Sequence, residues 1–159
     1  MKTRCRRGQS VLYAVLSFPV LILIFAFAID LGLLQLDNLR LRYALSLSTV
    51  TAATNVDPTF YAATGHLRLD AAAAIPAARR SLYENLAGLP QPIDAASLAA
   101  NAEIAVINQV PARDPFSGVI LDRPAVCARM RVPHRFTMLG WIGLTQVHTT
   151  ITADAEIRT

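Results

Sequence analysis

No charged residue occurs between Gly8 and Ile29, a run of 22 positions reading G-Q-S-V-L-Y-A-V-L-S-F-P-V-L-I-L-I-F-A-F-A-I. As a helix this run extends about 33 Å, which matches a hydrocarbon core of ~30 Å. A core helix of a soluble protein seldom stays apolar on every side for so long. The run therefore predicts a transmembrane helix, and only one compact domain fits in the rest of a 159-residue chain.

The net charge of +4 belongs to the same feature. Lys2, Arg4, Arg6 and Arg7 all precede the run; with those four set aside, eleven basic residues face eleven acidic ones. Basic residues beside the start of a membrane helix stay cytoplasmic, which predicts a cytoplasmic N-terminus and an extracytoplasmic remainder. The charge needs no nucleic-acid partner to explain it. Cys5 and Cys127 then lie on opposite sides of the membrane and cannot pair within one chain. For Cys127 the choice is between a buried small hydrophobe and an intermolecular bridge.

The helix is expected to continue past the membrane, from about Gln9 to Ala53. Leu36, Leu39, Tyr43, Leu47 and Val50 recur at spacings of three and four among polar residues, and no Gly or Pro falls between Leu33 and Val56. This stripe packs either under the protein's own sheet or against neighbouring subunits. Pro19 is expected to kink the membrane part or to be absorbed by neighbouring groups. Asn55 to Gly65 reads as a loop. Leu69 to Leu86 reads as a second helix containing Pro76, stopped by Gly88, and a short helix is weakly signalled near Ala95–Ala100. Period-two alternation then marks strands: one from Ala102 towards Val110, one through Val126–Pro133, and the clearest from Val147 to Arg158. The segments are a basic leader (1–8), a transmembrane helix (9–34), its extracytoplasmic extension (35–54) and an α+β head (55–159). The expected fold class is α+β, with the long helix packed on a small antiparallel sheet of about three to four strands.

The opening R-R-G-Q-S-V-L-Y-A-V-L-S-F-P-V-L-I-L-I-F-A-F-A-I-D-L-G resembles the N-terminus of TadE/TadG-like proteins of tight-adherence (Flp-type) pilus systems. That family pattern has a basic leader, a Gly, an apolar helix with a Pro part-way along, and Asp-x-Gly near the outer end. Arg6, Arg7, Gly8, Pro19, Asp30 and Gly32 stand at those positions. A second block, A-R-M-R-V-P-H-R-F-T-M-L-G-W-I-G-L followed by I-T-A-D-A-E-I-R, resembles the family's closing strand, loop and strand. The resemblance implies a pilin-like fold and a minor pilin or pseudopilin working with other pilus subunits and inner-membrane assembly components. It also implies cleavage between Gly8 and Gln9 by a prepilin peptidase. Many relatives carry Glu five residues after that Gly; Tyr13 stands there, which leaves a filament subunit and a permanently anchored accessory protein both open.

Sites of chemistry are few. His66, His134 and His148 are far apart in sequence, and there is no H-E-x-x-H, C-x-x-C, G-x-S-x-G or phosphate-cradling loop. No enzyme, catalytic residue, metal or cofactor is expected. Pro19, Asp30 and Gly32 are the candidate helix–helix contacts. Asp30 is the sharpest of them, because an acid in a membrane segment either makes a specific contact or reaches interfacial water. Met138, Leu139, Trp141 and Ile142 form an apolar connection between strands and are candidate partner or membrane contacts. Two alternatives stand beside the pilus reading. One is a single-pass envelope protein with an unrelated partner. The other is a secreted protein cleaved after Ala28, since Ala26-Phe27-Ala28 fits a small-x-small cleavage site.

Overall fold

The computed structural model describes residues 6–89 and 94–157, with the side chains of these apart from 6–12, 141 and 142. Helix α1 runs without interruption from Arg6 to Ala53, 48 residues or about 72 Å. It starts three residues before the expected Gln9 and ends where the pattern does. Its last carbonyls are closed by Asn55, whose amide Nδ2 donates to Thr51 and Ala52, both at 3.2 Å. Among the described residues one helix is long and apolar enough to cross a membrane, consistent with a membrane-spanning or signal segment; from Tyr13 to Ile24 every side chain is exposed.

The chain divides into two compact units, one of residues up to Leu36 with His134–Val147, the other of Asp37–Pro133 with the chain from His148 on. In the second unit three short-range caps start three helices. Asp57 accepts from the Thr59 and Phe60 amides at 3.0 Å each and begins α2, Pro58–Thr64. Asp70 accepts from Ala72 and Ala73 at 2.9 and 3.3 Å and begins α3, Ala71–Ala87. Asp94 accepts from Ser97 at 3.0 Å and begins α4, Ala95–Asn101. The expected loop over Asn55–Gly65 is therefore corrected to a helix. Asp57-Pro58 does exclude helix at Asp57, but it also places an acceptor at the N-cap and a pre-set φ at the first helical residue. Gly65, at φ 72°, closes that helix in the left-handed region.

Strand β1 (Glu103–Ile107) pairs antiparallel with β4 (Ala125–Arg135), from Glu103 opposite Arg129 to Ile107 opposite Ala125. The strand β5 (Gln146–Glu156) lies on the other side of β4, giving the order β1-β4-β5. A two-stranded ribbon, β2 (Ala112–Arg113) with β3 (Ile120–Leu121), completes an α+β fold. In β4 the alternation holds for Val126, Ala128, Met130 and Val132, yet Cys127 is buried as well. Leu121, Phe116 and Ile107 pack on that second face with Cys127, so the early part of β4 has no wet side.

The main core joins Leu41, Ala44 and Leu45 of α1 to Leu82 and Leu86 of α3, Ala95 and Ala99 of α4, and Ala128, Met130, Val132 and Ile151 of the sheet. The helix thus packs on the sheet, but not with the stripe that its sequence advertises. Leu39 and Tyr43 are 64% and 71% exposed, and Leu36, Leu47 and Val50 are exposed too. The buried face is Leu41, Ala44, Leu45, Ser48, Thr49 and Ala52, again at spacings of three and four. Small residues let the helix approach closely. The hydroxyls of Ser48 and Thr49 donate to the carbonyls of Leu45 and Ser46 at 2.6 and 2.8 Å, so their burial strands no donor.

Candidate functional site

The first unit is built around one carboxylate. Asp30 is 3% exposed although the apolar side chains around it on α1, Phe27, Ile29, Leu31 and Leu33, are all exposed. Between β4 and β5 the chain closes on itself, with the Phe136 amide donating to the Thr145 carbonyl at 3.2 Å. Within that connection Leu139–Ile142 form a single 3-10 turn, ended by Gly143 in the left-handed region at φ 89°. The residue at the N-cap of the turn is Met138, which has no side chain able to cap it.

Asp30 takes over that task. Oδ1 accepts from the Thr137 and Met138 amides at 3.1 Å each, and Oδ2 accepts from Met138 at 3.0 Å and Leu139 at 2.7 Å. Three successive backbone N–H groups converging on one anion form a nest at the positive end of a helical turn. Both partners gain. The buried acid has its charge met by donors, and the amides of an uncapped turn have acceptors. The partners lie 107 to 109 residues apart in the chain.

The structure therefore brings together two groups of candidates that the sequence keeps apart, Asp30 with Met138 and Leu139. Leu139 is buried and Met138 is 42% exposed. The side chains of Trp141 and Ile142 lie outside the described residues. Pro19 is exposed on the apolar stretch, and a Cβ placed on Gly32 would meet nothing within 4 Å, so Gly32 leaves open space on the helix surface. Gly8 and Gln9 fall in the first turns of α1, and the Gln9 side chain lies outside the described ones. The amides of 137–139 carry no side-chain signature. What the sequence does contain is a pair of matching deficits, an acid at the end of an uncharged run and a turn lacking a local cap.

Elsewhere the polar groups serve local structure. Asp114, buried, accepts from the Phe116 amide at 2.9 Å and from the Ser117 hydroxyl, closing the β2–β3 turn. Burial, with Asp114 nearby, pushes the Cys127 thiol up to about 12, so Cys127 is a neutral packing residue rather than a reactive thiol. An open cleft of about 710 Å³ is lined by Phe60, His66, Arg68, Asn108, Gln109 and Pro124 among others. Arg68 lies over the Phe60 ring at 5.1 Å, and the Asn108 amide clamps the backbone of Leu69 at 2.8 and 3.0 Å. The polar lining of the cleft is thus an imidazole, a guanidinium and two amides. Among the described residues no cluster of three His, Cys, Asp or Glu side chains is disposed to hold a metal ion. No protein-family model, curated protein sequence or solved structure matches this chain.

Proposed function

We propose that this chain is a TadE/TadG-like pilus assembly protein, a minor pilin or pseudopilin of pilin-like fold. It sits in the inner membrane by one span, with its N-terminus cytoplasmic and its α+β head on the outer side. It acts by protein–protein contacts rather than catalysis. The observation that carries this reading is the exposed stripe Leu36, Leu39, Tyr43, Leu47 and Val50 on α1. An apolar helix face that continues a membrane helix and is left uncovered by its own sheet suits packing against the helices of neighbouring subunits. The residue pattern from Arg6 to Gly32 supports the same family, and the unbroken course of α1 through Ala28 weighs against cleavage there.

The test is intact mass and N-terminal sequencing of the protein recovered from membranes, with capture of pilus inner-membrane components by wild type and by Leu39→Ser/Tyr43→Ser. A start at Gln9 means prepilin-type processing, and a start at Met1 means a permanently anchored accessory protein. A start at Ile29 means secretion and ends the membrane reading. Equal capture by wild type and the stripe variant would remove the role given to the stripe.

A further inference from the structure

We infer that the connection 136–145 is a second membrane footing, held by Asp30 so that Met138 and Leu144 enter the lipid interface beside α1. This rests on α1 spanning the membrane. The uncharged run ends at Ile29, so Asp30 stands at the outer edge of a hydrocarbon core, where the interfacial layer of phospholipid headgroups begins. The four hydrogen bonds from Thr137, Met138 and Leu139 fix the connection at that level of the helix. Its large exposed side chains are apolar, Met138 at 42% and Leu144 at 52%, with the small polar Thr137 and Thr145 beside them, and Ile29, Leu31 and Leu33 are exposed on the helix near Asp30. The connection thus meets α1 at a level where the helix's own exposed side chains are apolar, and lipid is the occupant that suits both. The charge of Asp30 is no obstacle at this depth. Three amides already meet it, and a cap satisfied inside the protein removes the usual cost of an acid near hydrocarbon.

The experiment uses the full chain with Cys5→Ser, alone in phospholipid nanodiscs, carrying an environment-sensitive fluorophore at Met138→Cys, Leu144→Cys or Leu23→Cys. Cys127 stays in place because it is buried. The expected result is blue-shifted emission at 138 and 144, quenched by lipids brominated near the headgroup and little affected by aqueous iodide. Adding Asp30→Ala should shift both labels to the red and open them to iodide, while the label at 23 remains lipid-quenched. Iodide quenching at 138 and 144 with lipid quenching at 23 overturns the footing and leaves the span intact. Labels at 138 and 144 shielded from both quenchers mean a protein occupant and overturn it likewise. Iodide quenching at all three positions overturns the span, and the footing with it. Labels that stay in lipid after Asp30→Ala refute the anchoring role of that carboxylate.

Discussion

The two ends of α1 are one continuous helix with opposite packing rules. From Tyr13 to Ile29 the helix carries no charge and its large side chains point outward; from Leu41 to Ala52 it is two-faced, and the face that packs is made of Leu, Ala, Ser and Thr. At the end of the first region burial belongs to a single acid, Asp30, and in the second to a contiguous core. Side-chain size alone thus fails to tell which residues make the interior. In lipid a large apolar residue is at home on the surface, and against a sheet the small residues set how closely a helix can approach.

The largest effect should come from cutting into the packed face. Leu45→Ala is expected to destabilise the fold by about 2–5 kcal/mol, as a fully buried leucine leaves a cavity, whereas Leu39→Ala should stay within about 0.5 kcal/mol. Denaturation of the two variants in the same detergent checks the contrast, and equal losses would erase the distinction between the faces. In the other region, amide exchange at Thr137, Met138 and Leu139 should be slow in wild type and faster by roughly tenfold or more in Asp30→Ala. Unchanged exchange would mean that the turn holds itself. Local caps set the lower scale: Asp70→Ala should cost about 1 kcal/mol, because a neighbouring water can replace an exposed N-cap more easily than a core contact.

The smallest effects are titrations. The hydrogen bond from the Thr59 hydroxyl, with the Phe60 amide, holds the Asp57 carboxyl below its ordinary value of 3.8. Its contribution is complete above that value and falls away as pH drops through the lower folded one, so Asp57→Asn should flatten the acid limb of the stability curve. Cys127 works in the opposite sense. The folded thiol is pushed up to about 12 from 9.0, so its contribution is complete below 9.0 and is lost as pH rises from there through about 12. A thiol reagent at pH 8 should therefore modify Cys127 only on unfolding, and rapid reaction of the native protein would contradict its burial.

Legibility in the sequence followed the range of the interaction. Asp70 and Asp94 stand directly before the helices they cap, and the α3 and β5 patterns repeat at their own periods, so those elements can be read locally. Asp57-Pro58 was equally local but carries two messages, a stop for one helix and a start for the next, and only the stop is obvious from a proline. The second dry face of β4 was less visible because it depends on Leu121 and Phe116 arriving from a different part of the chain.

By itself the sequence determined the long apolar helix, its continuation to Ala53 and the α+β class, though not α2 or the β2–β3 ribbon, because charge-free length and hydrophobic period act through neighbours along the chain. Only the tertiary structure decided which face of that helix is interior and where the acid at its edge finds its donors. Both depend on groups that become neighbours through folding: the sheet selects the face of small residues, and three backbone amides, identical in every sequence, gather around Asp30.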